Sequence, residues 1–450
     1  MSRNAEAALL VGAAILAALG TAIVTAAGGD RPDAQTALTF IIMLAAFGSL
    51  HLAFRQWAAE ASPYLLPIAA LLTAVGLVEI FRLDARAASL QRWWLLIAAG
   101  LGIAVLFLLK RLGIEALLRY RYLFLAGALI LFLLPLLPSS WPLGGVEVNG
   151  SRLWLQLRVF DTTVVRFQPA ELAKVLLVIF LASYLASRHR ALSTMTRRLG
   201  PLSMPEPRQL FPLAAAWALS LVVLVYQRDL GASLLLLALF ASMLYAASGR
   251  LSYPLVGAGL FVAGAVIAAQ VFDHVQRRFD AWIRPWDDFA DSGFQIAQSL
   301  FALGSGSLTG SGLGLGRPDF IPSATTDFVF SAVAEETGLA GSLAVVAAYA
   351  LLVAVGFGIA LRARDPYRKL LAAGLTAAIA IQAILIIGGV TRLLPLTGIT
   401  LPFMSYGGSS LVANVIAIVI LARLSHEIGN SASPSSLAVA SQLRGKGNAK

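Results

Sequence analysis

Apolar residues in this chain do not alternate with polar ones; they come in long runs separated by short polar segments. The runs fall near residues 7–27, 36–54, 63–80, 93–109, 122–138, 170–187, 210–226, 230–248, 253–272, 338–361, 370–390 and 408–425. Each approaches the ~20 residues that a helix needs to cross a bilayer. The apolar character goes all the way round each run, as in a lipid-facing helix, rather than down one stripe. Backbone polar groups in lipid must be satisfied within the segment, which makes these runs helices. A membrane β-barrel would show short alternating segments instead. The pattern predicts an all-α integral membrane protein, a polytopic bundle of about 12 transmembrane helices.

Composition sharpens this. Of 450 residues, 58% are hydrophobic and 13% charged, against roughly 45–50% and about 25% in soluble domains. The absence of cysteine excludes a disulfide scaffold and thiolate metal sites. A net charge of +11 invites a nucleic-acid partner, but the basic residues sit in short clusters between apolar runs, where they report topology. Segments sharing a side with the termini hold 20 Lys and Arg, the opposite loops 13, so both termini are expected in the cytoplasm. The first run is long for a signal peptide and reads as a signal-anchor helix. Residues 429–450 are polar, small and basic, and read as a disordered cytoplasmic tail. Two outside loops stand out, 139–169 and 273–327. The second carries seven aspartates (Asp273, Asp280, Asp287, Asp288, Asp291, Asp319 and Asp327) against four arginines. Long loops of this kind are usually functional or disordered, and this one is rich in Trp and Phe.

Charged groups within spans are costly and draw attention first. Glu171 and Lys174, at i and i+3 in PAELAKVLL, share a helix face and can pair, either as a structural ion pair or to line a polar cavity. Asp229 suits the N-cap of the following span. Glu335 and Glu336 read as surface-helix acids. Asp287, Asp288 and Asp291 are either solvated or, as neighbouring carboxylates, cation ligands. The glycine-rich stretch 304–316 lacks the Lys-Ser/Thr of a P-loop and follows no strand, which argues against a nucleotide site. The proline- and glycine-flanked segment 391–410 looks like one re-entering the membrane along a cavity. The four histidines are scattered, and no GxSxG nucleophile motif occurs.

In this order, VNGSRLW (148–154), RFQPAELAK (166–174), RDLG (228–231), PWDDFADSGFQIAQSLFALGSGSLTGSGLG (285–314), FIPSATTDFVFSAVAEETGLAG (320–341) and LPLTGITLPFMSYGGSS (394–410) resemble the SEDS family (shape, elongation, division and sporulation), which includes RodA and FtsW. The closing motifs look closer to RodA. The resemblance implies a ten-helix core over 61–428, with 273–327 as a large extracellular catalytic loop between the ninth and tenth spans, and residues 1–60 as two extra N-terminal helices. It implies a glycosyltransferase of the bacterial cytoplasmic membrane that polymerises lipid II into peptidoglycan at the outer face, for elongation, shape or division. Asp288 matches the family's essential acidic residue, although Phe289 replaces the usual proline and Phe294 the usual tyrosine. The implied substrate-binding residues are Arg152, Trp154, Glu171, Lys174, Arg392, Ser405 and Tyr406, with the loop arginines as further pyrophosphate ligands. Asp229, Asp287, Asp327 and Glu335 are implied supports. Mg²⁺ or Mn²⁺ is a candidate cofactor, with no organic cofactor. The implied partners are lipid II, the growing strand, membrane lipids and a class B penicillin-binding protein. The competing readings are a lipid II flippase, which predicts charges at the membrane midplane and inverted repeats, and a non-catalytic scaffold for a transpeptidase.

Overall fold

The structure, a computed structural model, describes residues 1–431 apart from 32–33, 149–150, 160–161, 189–196, 200–201, 205–217, 219–221, 223–226, 228 and 272. The expected span at 210–226, Arg228 of the RDLG motif, and the tail from 432 onward lie outside the described residues. The helices are α1 (Arg3–Ala27), α2 (Ala34–Trp57), α3 (Leu65–Leu83), α4 (Ala85–Leu112), α5 (Glu115–Arg119), α6 (Arg121–Leu133) and α7 (Pro169–Ser187). They continue with α8 (Leu230–Ser248), α9 (Ser252–Val271), α10 (Asp273–Ile283), α11 (Phe294–Gly306), α12 (Val329–Arg362), α13 (Pro366–Val390) and α14 (Gly408–Ser431). Among the described residues, nine helices are long and apolar enough to cross a membrane. The protein is a polytopic helical membrane protein, and every predicted run within the described residues is helical.

Local chemistry sets the boundaries. Asp84 ends α3 and caps α4, its Oδ1 accepting from the backbone N–H of Arg86 at 2.8 Å and of Ala87 at 3.0 Å, which satisfies donors that a helix start leaves open. Asp365 caps α13 in the same way, accepting from Arg368 N at 2.9 Å, and Pro366 takes the first helical position, where its missing N–H costs nothing. In the bundle, α14 packs on α4 and α7, and α12 on α13. The helices α1 and α2 are fastened to this core. Arg92, counted above with an outside loop, lies buried within α4, and its Nη1 donates to Thr39 of α2 at 3.0 Å.

The loop at 139–169 contains an antiparallel sheet of three strands, β1 (Leu143–Val148), β2 (Ser151–Val159) and β3 (Thr162–Phe167). Val146 faces Trp154 and Leu155 faces Phe167. The second loop is built from α10, α11 and a glycine-rich strap over residues 307–317.

Helix α12 is broken at Gly338, whose backbone is left-handed (φ +66°). The break frees polar backbone groups that need partners outside the helix, and the strap supplies them. Leu339 N donates to Ser307 O at 2.9 Å and Ala340 N to Leu308 O at 3.2 Å, while Ser311 N and Gly312 N donate to the carbonyls of Glu335 and Glu336, both at 3.0 Å. The two glutamates corroborate this role and overturn their reading as surface acids: both are buried. Glu336 accepts from Gly314 N at 2.8 Å and from Arg82 Nε at 3.1 Å, and Glu335 accepts from Arg317 N at 2.8 Å. Their partners are mostly backbone N–H groups.

A Cβ at residue 338 would lie 2.3 Å from Gly310 N, and a non-glycine residue at this φ is itself strained. Gly338→Ala is expected to destabilise the protein by about 2 kcal/mol or more, read as a fall in melting temperature in detergent. An unchanged melting temperature would show that the strap does not depend on this conformation.

Candidate active site

Asp288 sits in the exposed turn between α10 and α11. Its Oδ2 accepts from Ser292 Oγ at 2.8 Å and from Ser292 N at 3.2 Å, and its carbonyl accepts from Gly293 N at 3.0 Å. Glycine is required at 293 because a Cβ there would lie 2.0 Å from Pro285 O. The Ser292 bonds favour the charged carboxylate and hold Asp288 below the usual carboxylate range, so it is ionised at neutral pH. Oδ1 has no partner among the described residues. Beside it, Trp286 stacks on Phe289 at 6.3 Å between ring centroids, and Phe294 meets Phe289 edge-on at 5.8 Å.

Both flanks of this turn are tied to residues 390–392, at the end of α13. Arg392 adopts a left-handed backbone (φ +61°). Its Nε donates to Trp282 O at 2.8 Å and its Nη2 to Ile283 O at 2.7 Å, while Trp282 Nε1 donates to Arg392 O at 3.1 Å. The carbonyls at a helix C-terminus are unpaired within the helix and attract cations. Arg392 therefore caps α10, so its guanidinium is already engaged. On the other flank, Ser299 of α11 donates to Val390 O at 2.8 Å.

A second group of predicted residues meets below the segment 391–407. Lys174 Nζ lies 2.7 Å from Glu171 Oε2 and also donates to Gln382 of α13. Gln382 Nε2 donates to Thr400 O at 2.7 Å, and Thr400 Oγ1 bonds Ser410 Oγ at 2.8 Å. Ser405 accepts from Leu401 N at 2.8 Å and donates to Thr326 O, and Tyr406 N donates to Thr325 O at 2.8 Å. The segment 391–407 is thus sewn to α13, α14 and the end of the large loop. Asp229 caps α8 as expected, its Oδ1 accepting from Ala232 N at 2.8 Å; it is buried, and its Oδ2 has no hydrogen-bond partner among the described residues.

Arg278 of α10 donates to Leu396 O at 3.2 Å and Thr397 O at 3.1 Å. Arg278 and Asp327 converge on Gly398, where a Cβ would lie 3.6 Å from Arg278 Nη1 and 3.7 Å from Asp327 Oδ2. Burial pushes Asp327 up to about 6, against the pull of Arg278.

Arg152 and Trp154 lie on β2, where Arg152 is exposed and 3.7 Å from Glu147. No hydrogen bond or ion pair links Asp288 to Arg152, Lys174 or Arg392 among the described residues. Asp287 is exposed next to Asp288. Gln382 escaped the sequence reading, although a lone glutamine within an apolar run was its signal.

The arrangement joins an ionised, solvent-facing carboxylate to a polytopic membrane bundle through a clamped turn, a geometry that suits an enzyme acting at one surface of a membrane. The FtsW/RodA/SpoVE family of cell cycle proteins matches residues 63–430, and the chain belongs to it. The match begins after α1 and α2. The peptidoglycan glycosyltransferase RodA of Mycobacterium tuberculosis is 41% identical over 436 residues, covering 94% of this chain and 90% of that protein. A probable peptidoglycan glycosyltransferase FtsW of Geobacter metallireducens is 35% identical, covering 73% of this chain and 83% of its own. A solved structure concerning polymerization and crosslinking by a peptidoglycan synthase complex superposes with a TM-score of 0.63 at 25% identity, over 82% of this chain and 98% of that one. The Thermus thermophilus rod shape determining protein RodA gives a TM-score of 0.55 at 27% identity, over 83% and 98%.

Lys174→Ala is expected to destabilise the protein by roughly 3–5 kcal/mol, because it leaves Glu171 buried without its cation. A Glu171→Gln/Lys174→Met double variant should recover most of that loss in thermal denaturation. Additive losses in the double variant would show that the two side chains do not act as a pair. Arg392→Ala should leave the bundle folded yet lower turnover by about 10²-fold, the scale of a misplaced reacting group. Wild-type turnover in that variant would remove the clamp from the argument.

Proposed function

We propose that this protein is a peptidoglycan glycosyltransferase that polymerises lipid II into glycan strands, with Asp288 as general base. The observation that carries the reading is the ionised carboxylate, with one oxygen uncommitted among the described residues, in a turn clamped on both flanks; the sequence resemblance matches this residue to the family's essential acid. An acceptor sugar hydroxyl docks against Asp288 Oδ1. As its oxygen bonds to the donor's anomeric carbon, its proton passes to Oδ1. The bond from that carbon to the lipid pyrophosphate breaks, the pyrophosphate leaves with the electron pair, and the configuration inverts. A positioned base contributes ~10²–10⁴-fold.

The leaving pyrophosphate needs cations. Lys174 and Arg392 are committed to internal partners, whereas Arg277 and Arg284 are exposed in the same loop as Asp288 and have no carboxylate partner among the described residues. These two, with Arg152 across its loose contact with Glu147, are the pyrophosphate ligands in this reading. Among the described residues no three acidic or histidine side chains converge on a point that a cation could occupy. A Mg²⁺ or Mn²⁺ ion would be held mainly by the pyrophosphate itself, with Asp287 or Asp291 as a protein ligand.

The basic bias of the terminal side supports both termini in the cytoplasm and Asp288 at the outer face of the bacterial cytoplasmic membrane. The likeness to a peptidoglycan synthase complex supports a class B penicillin-binding protein as the transpeptidase partner. In that complex this chain would supply polymer rather than act as a scaffold.

The test is polymerisation of labelled lipid II by the purified protein, with and without a transpeptidase partner and divalent cation. Asp288→Ala should abolish polymer while melting like the wild type. Full polymer from that variant overturns the base assignment, and lipid II scrambling in vesicles without polymer identifies a flippase. Ser292→Ala removes the hydroxyl bond, the larger of the two that favour the charged carboxylate, so the Asp288 pKa rises toward the ordinary carboxylate range. The acid limb of kcat/KM should then move to higher pH, with the plateau at neutral pH retained; an unmoved limb assigns it to another group.

A further inference from the structure

At the opposite end of the bundle from Asp288, a cavity of about 930 Å³ opens between the ends of α12 and α14. One wall is a stripe down α12, where Leu351, Val355, Ile359 and Arg362 recur at helical spacing. Eleven residues separate the first from the last, about 16 Å at ~1.5 Å per residue, which approximates one leaflet's share of a ~30 Å hydrocarbon core. The stripe is apolar until it ends in Arg362, and Arg364 follows at the rim. Gly358 leaves a trough in it, since no atom lies within 4 Å of where its Cβ would be.

The charges at the mouth divide into committed and uncommitted groups. Arg368 Nη2 is taken by Glu115 Oε1 at 2.6 Å and Glu427 Oε2 at 3.0 Å. Asp365 is occupied capping α13. Arg362 and Arg364 are exposed and have no carboxylate partner among the described residues, and Glu60 is the remaining acid on the lining. The uncommitted groups sum to one positive charge. The chain's own continuation does not complement it, because residues 432–450 carry Arg444, Lys446 and Lys450 and no acidic side chain.

We propose that this cavity binds an anionic phospholipid, with the phosphodiester on Arg362 and Arg364 and one acyl chain along the α12 stripe. Basic pockets between membrane helices take anionic headgroups in this way. The single negative charge of phosphatidylglycerol matches the uncommitted charge, and the stripe supplies the length for its tail. The site holds together two segments distant in the chain, α12 and α14, so an occupied cavity stabilises the end of the bundle. Only the naming of the leaflet as cytoplasmic rests on the orientation proposed above.

Native mass spectrometry of the full-length protein, with phosphatidylglycerol and phosphatidylcholine in competition, tests this. Retention of phosphatidylglycerol should exceed that of phosphatidylcholine by about tenfold or more, from about fivefold per arginine near the surface. Arg362→Gln/Arg364→Gln should bring the two lipids to near parity, and Arg86→Gln, in an exposed position at the far end, should not. Gly358→Phe, which fills the trough, should lower retention of both lipids at unchanged melting temperature. Equal retention by the wild type, or an undiminished preference in the double variant, overturns the site. In asymmetric vesicles, phosphatidylglycerol confined to the leaflet at the C-terminal end of α14 should raise the melting temperature; a rise only from the other leaflet also overturns it. Proteolysis of a C-terminal tag in spheroplasts reports separately whether that leaflet is cytoplasmic, so an error of orientation leaves the lipid result standing.

Discussion

At membrane depth a backbone that leaves the helix finds no water, so each interruption must be completed by another part of the protein. The break in α12 shows what that requirement builds. Leu339 and Ala340 N–H groups and the carbonyls of Glu335 and Glu336 pair with the strap at 307–317, and the two glutamate side chains return to the same strap. Glycines there allow the strap to lie against α12, which is a structural reason for a sequence that superficially suggests a phosphate cradle. The same requirement explains the second interruption. The extended segment before α14 is held by Gln382 through Thr400, and Gln382 is in turn the second partner of Lys174. The Glu171–Lys174 pair therefore anchors re-entrant backbone, whatever contact it makes with substrate.

Asp288, the base in the proposed reading, is held from such a region. It lies in an exposed turn, and exposure suits the base of that reading, which must meet a lipid-borne donor and a growing strand. Precision comes from outside the turn. Arg392 caps α10 and Ser299 anchors α11, and both act on the same short stretch at the end of α13. Placing a reactive group on a loop while tying the loop to rigid helices reconciles access with the geometry that catalysis needs.

What could be read from the sequence followed from the period and length of apolar runs. Helices in lipid are apolar on all sides, so the nine long apolar helices of the described residues were visible without any side-chain geometry. The i, i+3 spacing of Glu171 and Lys174 and the capping role of Asp229 were equally visible, because both partners are local. Glu335 and Glu336 were misread because their partners, Gly314 N and Arg317 N, belong to a segment whose backbone donors leave no trace in composition. The sheet at 143–167 was read only as a long loop, although β2 carries a period-two signal, with Leu153, Leu155, Leu157 and Val159 alternating with Arg152, Trp154, Gln156 and Arg158. Arg392 looked like a phosphate ligand by charge alone; that it closes onto two carbonyls depends on a left-handed backbone that its sequence neighbours do not announce.

The distribution of committed and uncommitted cations gives the structure its functional polarity. Arg92 is buried and Arg82, Arg278 and Arg392 are half-buried, and each is bonded to a carbonyl, carboxylate or hydroxyl within the bundle. A buried guanidinium without such partners would be prohibitively costly, so these cannot also be reserved for a ligand without exchange. Among the exposed cations, Arg277 and Arg284 share the large loop with Asp288, and Arg362 and Arg364 line the far mouth. Each set adjoins apolar surface, aromatic at the Asp288 turn and aliphatic along α12. An exposed cation next to an apolar surface matches a molecule with a charged head and a hydrocarbon tail better than it matches a soluble anion. In the proposed readings the two ends of the bundle thus share one recognition chemistry, and the end carrying Asp288 adds a base.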